Sequence, residues 1–264
     1  MPYKPLDYGG DFNGKVAIVT GASSGIGKAI KEGLIYHGAE VCNFDVTGGD
    51  YRVDVGDPFQ IKEGIDRVVK EKGVPEILVN NAGIEYNDVG NLVTMPEEDM
   101  CRILDTNLRG YINMVREVVP YMEERGVGRI VNISSTQATQ SCLPGTIYQI
   151  TKQGILGIAR TLTIEYADKG IRVNTISPGA VRTEGMGNAR SDDDPHMLDD
   201  LIKSTPLRRR GHPEEIASMV LFLLSSGASY INGQEIIVDG GLTNTLVGDM
   251  KPPKRHVLND PDSI

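Results

Sequence analysis

The chain has 264 residues, 39% of them hydrophobic, so it can bury a large core as one big domain or two small ones. Its 36 acidic residues exceed its 27 basic residues, and the net charge of −9 argues against non-specific binding to nucleic acid or anionic lipid. It has no membrane-length apolar stretch, no signal-peptide pattern, and no metal-ligand spacing among its three cysteines and four histidines. We therefore expect a soluble, cytoplasmic protein without a metal site.

Short apolar segments alternate with segments of helical spacing along the chain. The strand-like segments are rich in β-branched residues, as strands buried on both faces are, and comprise residues 15–20, 39–45, 51–55, 76–80, 128–134, 171–177 and 234–239. The helix-like segments between them are 25–37, 58–72, 97–124, 147–168 and 213–225. This alternation predicts an α/β fold, with a Rossmann-type, doubly wound parallel sheet of seven strands and helices on both faces.

The first predicted strand runs directly into TGASSGIG (20–27) and then into a helix. A tight turn needs Gly21, close approach of backbone to a pyrophosphate needs Gly25, and packing of helix against strand needs Gly27. The N-terminus of the helix beyond supplies unpaired N–H groups for that pyrophosphate. A strand before and a helix after the glycines favour a dinucleotide site over an ordinary turn.

Asp45 ends the second predicted strand, eighteen residues after Gly27. A carboxylate at this place can accept hydrogen bonds from both ribose hydroxyls of NAD and repels the 2′-phosphate of NADP. The three residues after Asp45 carry no positive charge, and Ser24 leaves the glycine loop without a basic residue. The pattern favours NAD, with NADP as the weaker alternative; the other interpretation of Asp45 is a turn cap.

YQITK (148–152) places Tyr148 and Lys152 on one face of a predicted helix, four residues apart. A lysine ammonium beside a phenol favours the phenolate, which brings a phenol closer to the pKa range useful in general acid–base catalysis. Ser135 follows the fifth strand, thirteen residues before Tyr148, and can offer its hydroxyl to the same substrate oxygen. Alone, such a pair also occurs on helices that do no chemistry.

With these motifs the chain resembles the short-chain dehydrogenase/reductase family over nearly everything from Lys15 to Thr243. The motifs stand in family order and spacing: TGASSGIG (20–27), VDV (53–55), NNAG (80–83), TNLRG (106–110), ISS (133–135), YQITK (148–152) and SPGAVRT (177–183). The resemblance implies a catalytic tetrad of Asn107, Ser135, Tyr148 and Lys152. It also implies that Asn107 lies in a kinked helix and holds a water connecting Lys152 to solvent.

The resemblance further implies the residues that bind the cofactor. Asp54 and Val55 flank the adenine, and Val181 and Thr183 hold the nicotinamide carboxamide. The full predicted set is Gly21, Ser23, Ser24, Gly25, Ile26, Gly27, Asp45, Asp54, Val55, Asn81, Ala82, Gly83, Tyr148, Lys152, Pro178, Gly179, Val181 and Thr183.

Family likeness also suggests the organisation of the whole chain. Residues 1–264 are interpreted as a single catalytic domain, with an N-terminal extension (1–13), a substrate loop (184–210) and a C-terminal tail (249–264). A homotetramer is implied, built from paired helices 97–124 and 147–168 and from strand 234–239, with the tail at a subunit boundary or simply disordered. Within PLRRRGHPEEIA (206–217), Arg209 occupies the family's arginine position.

Two polar residues narrow the range of expected substrates. Glu85 follows NNAG after one aliphatic residue, and Gln137 follows the Ser-Ser pair, as in the glucose and aldohexose 1-dehydrogenases that this chain resembles. A carboxylate and an amide can bind vicinal hydroxyls, whereas a hydrocarbon substrate would leave them unpaired at about 1–3 kcal/mol each. The predicted substrate-binding residues are Glu85, Ser135, Gln137 and Tyr148, with Glu85 alternatively an ordinary surface residue.

These features predict an NAD-dependent oxidoreductase that takes hydride from a sugar hydroxyl, at C1 of an aldose, and releases the lactone. Two alternatives stay open. One is an NAD(P)H-dependent ketone, polyol or 3-oxoacyl reductase of the same family, although such a reductase usually carries a basic residue where Ser24 stands. The other is a non-catalytic regulator that senses NAD and NADH, although such a protein would be expected to lose Tyr148 or Lys152.

Overall fold

Seven parallel strands form the central sheet of the protein. The computed structural model describes residues 8–85, 91–141, 146–183 and 201–245. The strands are β1 (Val16–Thr20), β2 (Glu40–Asp45), β3 (Tyr51–Arg52), β4 (Ile77–Asn80), β5 (Gly128–Ile133), β6 (Ile171–Pro178) and β7 (Glu235–Val238). Their order is β3-β2-β1-β4-β5-β6-β7, and all six pairings are parallel. The predicted α/β sheet is confirmed.

The predicted strand over 51–55 is shorter than expected, because it leaves the sheet after Arg52. Asp54 begins a turn there: its backbone oxygen accepts from the Asp57 N–H at 2.9 Å, and its carboxylate accepts from the Gly56 N–H at 2.9 Å. Asp57 then caps the following helix by accepting from two backbone N–H groups of its first turn. The turn therefore ends β3 and starts the next helix within a few residues.

Helices cover both faces of the sheet, as predicted. They are α1 (Gly25–Tyr36), α2 (Pro58–Glu71), α3 (Glu97–Leu104), α4 (Gly110–Arg125), α5 (Thr146–Tyr166) and α6 (Pro213–Leu224). Helices α1 and α6 pack on one face, where their apolar residues form one core with those of the strands. Helices α2, α4 and α5 pack on the other face and build a second core. The predicted helix 97–124 is interrupted by a π-helical turn, Asp105–Arg109, between α3 and α4.

The strand order reverses at β1, whose neighbours are β2 on one side and β4 on the other. In open α/β sheets, ligands bind at the carboxyl ends of the strands beside this reversal. Asn81, directly after β4, spans the opening: its amide donates to the Thr20 carbonyl at 2.9 Å and to the Gly21 carbonyl at 3.1 Å. The sheet therefore brings the glycine loop and the NNAG segment together at one edge.

Several sequence predictions fall outside the described residues. These are residues 1–7 of the extension, residues 184–200 of the substrate loop, and the tail 249–264. None of the described helices is both long and apolar enough to cross a bilayer. Among the described residues, no group of three or more His, Cys, Asp or Glu side chains is placed to hold a metal ion.

Candidate active site

The glycine loop is so tightly packed that two of its positions admit no side chain. A Cβ at Gly27 would overlap the Gly21 carbonyl oxygen, and a Cβ at Gly21 would lie 2.9 Å from Cα of Ala82. Gly21 and Gly25 also have positive φ angles, 65° and 54°, which glycine adopts without strain. A Cβ at Gly25 would lie 3.1 Å from the Thr183 methyl group. The loop predicted at the pyrophosphate and Thr183, predicted at the nicotinamide carboxamide, therefore pack against each other.

Helix α1 begins at this loop with a binding site for an anion. Its N-cap, Ser24, makes no side-chain capping bond, and the first turn contains no acidic residue. The N–H groups of the first turn and the positive end of the helix dipole are therefore available to a phosphate group. This arrangement fits the pyrophosphate of a dinucleotide.

At the end of β2, the carboxylate of Asp45 accepts hydrogen bonds from neutral groups. It accepts from the Ser23 N–H at 3.1 Å and from the Thr47 N–H at 3.0 Å, while the Ser23 hydroxyl donates to the Thr47 carbonyl at 2.6 Å. Asp45 makes no ion pair within the described chain. However, Arg52 is its register partner on β3. The sequence prediction considered only the residues directly after Asp45 and missed this arginine.

Asp54, predicted at the adenine, is held differently from Asp45. Its carboxylate pairs with the Arg102 guanidinium at 2.9 Å. The neighbouring Val55 is 4% exposed and packs into the core. Sequence reasoning missed Arg102, because α3 and the end of β3 approach each other only in the folded chain.

Tyr148 and Lys152 share one face of α5, as predicted. The Lys152 Nζ lies 5.4 Å from the centroid of the Tyr148 ring and 5.6 Å from that of Tyr111. Lys152 is only 3% exposed, and its ammonium donates to the Ile133 carbonyl at 2.9 Å. That carbonyl also accepts from the Tyr111 hydroxyl at 3.1 Å. Tyr111 is a further residue of the centre for which the sequence offered no signal.

Burial lowers the pKa of Lys152 to about 8, and the negative charge of Glu85 raises it, offsetting part of that effect. The low value follows from the cost of keeping an ammonium away from water. A Cβ at Gly83 would lie 3.6 Å from the Lys152 Nζ, which places the NNAG segment directly beside the lysine. The site thus combines a buried cation, a half-buried phenol and a nearby carboxylate.

Asn107 is fully buried in the π-helical turn, which confirms the predicted distortion of the helix. Its side-chain oxygen accepts from the Ile84 N–H at 2.8 Å, and its amide donates to the Ile84 carbonyl at 2.8 Å. The side chain therefore holds the chain just before Glu85 by two hydrogen bonds. Each end of the amide thus makes one bond to Ile84, and the role of Asn107 in holding a water stays a prediction.

Ser135 and Gln137 lie together at the end of β5. Ser135 caps a short 3₁₀ helix (Thr136–Ala138), and its hydroxyl oxygen accepts from the Gln137 backbone N–H at 3.1 Å. The hydroxyl proton of Ser135 remains available to a substrate oxygen. The side-chain oxygen of Gln137 is buried and has no hydrogen-bond partner among the described residues. Buried acceptors are rarely left unpaired, so this oxygen is a candidate contact for a ligand.

The segment after β6 closes the far side of the cleft. A Cβ at Gly179 would lie 2.8 Å from Cα of Asp239, and Val181 forms a parallel bridge with Gly211. Arg209, at the predicted family position, makes a two-pronged ion pair with Glu215 at 2.7 Å for each bond. That pairing supports a structural role at the loop-to-helix junction.

A family model described as enoyl-(acyl carrier protein) reductase matches residues 21–243 of the chain. The chain belongs to the short-chain dehydrogenase/reductase family. Oxidoreductase UcpA of Salmonella typhimurium is 37% identical over 255 residues, covering 89% of this chain and 96% of that protein. The 3-oxoacyl-[acyl-carrier-protein] reductase FabG of Thermotoga maritima is 37% identical over 246 residues, covering 87% of this chain and 98% of that protein.

Solved structures of this family superimpose over most of the chain. The ligand-free aldohexose dehydrogenase AldT of Thermoplasma acidophilum is 34% identical with a TM-score of 0.83, covering 93% of this chain and 99% of that one. The gluconate 5-dehydrogenase of Burkholderia cenocepacia, solved with NADP and tartrate, is 28% identical with a TM-score of 0.80, covering 89% and 98%. As a short-chain dehydrogenase/reductase, the protein is an NAD(P)-dependent oxidoreductase that acts on hydroxyl or keto groups.

The geometry of the loop fits the cofactor of this family. The glycines that exclude side chains and the uncapped N-terminus of α1 can hold the pyrophosphate, and Asp45 can hold a ribose. When bound, the nicotinamide supplies the acceptor or donor of hydride. The chain's own contribution is to orient the substrate oxygen and to move its proton.

Proposed function

We propose that the protein oxidises an aldose at its anomeric carbon with NAD and releases the lactone. The observation that carries this proposal is the buried, unpaired oxygen of Gln137 two residues from Ser135. A hydrogen-bond donor on the substrate would satisfy this oxygen, and a sugar offers such donors beside its reacting carbon. The negative charge of Glu85 raises the pKa of Lys152, which places a carboxylate near the catalytic lysine.

In this reaction the Tyr148 phenolate takes the proton of the C1 hydroxyl as hydride leaves C1, so that the C–O bond becomes a carbonyl. Ser135 donates a hydrogen bond from its hydroxyl to the same substrate oxygen and stabilises the charge on it. The Lys152 ammonium, held on the Ile133 carbonyl, favours the ionised phenol. An aldose suits this chemistry because its ring oxygen stabilises the positive charge that builds on C1 as hydride departs.

We propose NAD rather than NADP because Asp45 presents its carboxylate where a 2′-phosphate would lie. The known gluconate 5-dehydrogenase structure contains NADP, so the family accommodates both. Arg52 is the register partner of Asp45 on β3, where its positive charge would offset part of the repulsion, and we therefore place NADP as the weaker cofactor rather than an excluded one.

We propose a homotetramer, as the family resemblance implies. Large apolar side chains are exposed on the elements assigned to the interfaces, among them Ile112 on α4 at 40%, Ile164 on α5 at 86% and Ile237 on β7 at 40%. Exposed residues of this kind mark association surfaces when they occur together. Light scattering at micromolar concentration tests the proposal, and a monomeric mass would contradict it.

The alternative reductase activity is favoured by the likeness to FabG, whose name specifies a 3-oxoacyl substrate. The acyl-reductase description of the matching family model points the same way. Against it stands the buried Gln137 oxygen, unpaired among the described residues, which a hydrocarbon chain would leave without a donor. The non-catalytic regulator is disfavoured because all four tetrad residues are retained.

One assay separates these functions. Aldoses, polyols and secondary alcohols are incubated with NAD or NADP, and ketones and 3-oxoacyl thioesters with NADH or NADPH, while nicotinamide absorbance is followed. We expect an aldose with NAD to give the highest kcat/KM. Efficient oxidation of NADH by a hydrophobic ketone, with no aldose active, would overturn the proposal, and no turnover at all would favour the regulator.

A further inference from the structure

Three polar groups surround Gly56 at the adenine end of the cleft. A Cβ at Gly56 would lie 3.1 Å from a carboxylate oxygen of Asp54, 3.5 Å from a guanidinium nitrogen of Arg102 and 3.6 Å from the Thr106 hydroxyl. Because residue 56 is a glycine, the space between these groups stays open. Within the part of the chain that the structure describes, the buried Thr106 hydroxyl oxygen has no hydrogen-bond partner. The three groups therefore form a polar recess rather than a closed ion pair.

In the ion pair of this recess, both Arg102 and Asp54 can still form hydrogen bonds with a ligand. Arg102 uses one nitrogen on Asp54, at 2.9 Å, and Asp54 is its only side-chain partner in the described part of the chain. The Arg102 side chain is 46% exposed and the Asp54 side chain 23% exposed, so a ligand can reach both. A guanidinium has five N–H donors and no acceptor, whereas a carboxylate only accepts.

These opposite properties correspond to the two kinds of purine edge. Adenine carries an amine at position 6, which donates to an acceptor such as Asp54. Hypoxanthine carries an oxygen at position 6, which needs a donor, and a proton on N1, which needs an acceptor. A lone carboxylate would accept adenine and repel the 6-oxygen, but a carboxylate paired with a guanidinium has a partner for either edge.

We propose that Arg102 is a specificity-determining residue that lets the adenine subsite bind a 6-oxopurine as well as adenine. The inference needs the adenine to lie at Asp54, as family resemblance implies, but it does not depend on the sugar proposal. Arg102 would donate to the 6-oxygen, while Asp54 accepts from the purine in both cases.

The test compares binding of NADH with binding of reduced nicotinamide hypoxanthine dinucleotide, measured by nicotinamide fluorescence and calorimetry without substrate. For the wild-type protein we expect the hypoxanthine dinucleotide to bind no more than about tenfold more weakly than NADH. Arg102→Met should widen that ratio by a further tenfold or so, because the donor to the 6-oxygen is lost. Arg102→Lys should recover part of it, since an ammonium also donates.

Arg109 provides a matched control. It pairs with Asp105 at 2.6 Å in the π-helical turn that follows α3, and its side chain is 66% exposed. Arg109→Met should leave the binding ratio unchanged. An unchanged ratio in Arg102→Met, or an equal loss of both dinucleotides, would overturn the proposal. So would undiminished NADH binding by Asp54→Leu, which would mean that the adenine lies elsewhere. Because no substrate is present, failure of the sugar proposal cannot produce any of these results.

Discussion

At the glycine loop of the cofactor end, side chains bond back to the loops that carry them, whereas at the substrate end one buried side-chain oxygen has no partner among the described residues. Asn81 holds both Thr20 and Gly21, and the Asn43 side chain accepts from the Ala22 N–H at 3.1 Å. By contrast, the Gln137 side-chain oxygen is buried without a partner. The first arrangement positions a constant cofactor before it binds, while the second leaves hydrogen bonds for a particular substrate to complete. General chemistry and specificity therefore lie on different parts of the fold.

We expect the largest effect from substituting Tyr148, which lies between the cofactor end and the substrate end of the cleft. Tyr148→Phe removes only the phenolic oxygen, so the proton of the substrate has no acceptor. We expect kcat to fall by about a thousandfold or more while the Kd for NADH stays within about twofold. Stopped-flow kinetics and calorimetry measure the two quantities. Near-normal turnover would refute the assignment, and joint loss of turnover and NADH binding would indicate misfolding instead.

Lys152 shows what the ordered catalytic centre costs in stability. At pH 7 the folded protein keeps an ammonium buried, and its pKa is lowered from 10.5 to about 8. Burying the ammonium lowers the free energy of unfolding, and this loss is fully present below pH 8. The loss shrinks as pH rises from about 8 to 10.5, because Lys152 then releases its proton in the folded protein before it does so in the unfolded chain. The difference in pKa corresponds to about 3 kcal/mol.

We therefore expect Lys152→Met to be inactive but more stable than the wild type at pH 7, by up to about 3 kcal/mol. The Ile133 carbonyl would keep its bond from the Tyr111 hydroxyl, so the substitution leaves no orphan acceptor there. The stability advantage should shrink as pH rises toward 10. Urea unfolding at pH 7 and pH 9.5, at one protein concentration, measures it. An advantage of equal size at both pH values would contradict the linkage.

The substrate end is tested by Glu85→Gln, which keeps the size of the side chain and removes its charge. Charge-assisted hydrogen bonds are worth about 1.5–3 kcal/mol, so kcat/KM for the best aldose should fall by about ten- to a hundredfold. The Kd for NAD should barely change. Glu98→Gln, an exposed carboxylate on α3, serves as the control and should behave as wild type. An unchanged kcat/KM would leave Glu85 as a surface residue.

The sequence predicts most accurately those features that depend on residues close together in the chain. The strands and helices begin and end close to the predicted bounds, because buried strands and glycine turns have strong local patterns. The residues predicted as a tetrad lie on the π-helical turn (Asn107), just after β5 (Ser135) and on α5 (Tyr148 and Lys152).

What the sequence could not reveal depends on contacts between distant segments. The π-helical turn at 105–109 is stabilised by bonds from Asn107 to Ile84, and no local residue pattern specifies that pairing. The Arg102–Asp54 ion pair joins α3 to the end of β3 for the same kind of reason. Arg52 lies opposite Asp45 only through the register of β3 on β2, which no local residue pattern specifies.

The smallest expected effect concerns the choice between NAD and NADP at Asp45. Asp45→Ala removes repulsion toward the 2′-phosphate and also removes the acceptor for the ribose hydroxyls. Arg52 stays beside the vacated position as register partner and can then face the phosphate. We expect the ratio of kcat/KM for NADP to that for NAD to rise by about tenfold, mostly through a lower KM for NADP.

Adding Arg52→Ala to that variant separates attraction from mere loss of repulsion. If Arg52 attracts the 2′-phosphate, the ratio of kcat/KM for NADP to that for NAD should be lower in the double variant than in Asp45→Ala. The ratio should also depend less on salt concentration in the double variant, because salt screens exposed charges. If only repulsion mattered, the two variants would have equal ratios. Arg52→Ala alone should leave NAD kinetics unchanged. If the wild-type enzyme already prefers NADP, Asp45 does not control the choice between NAD and NADP. Arg52 would then be the residue that accommodates the 2′-phosphate.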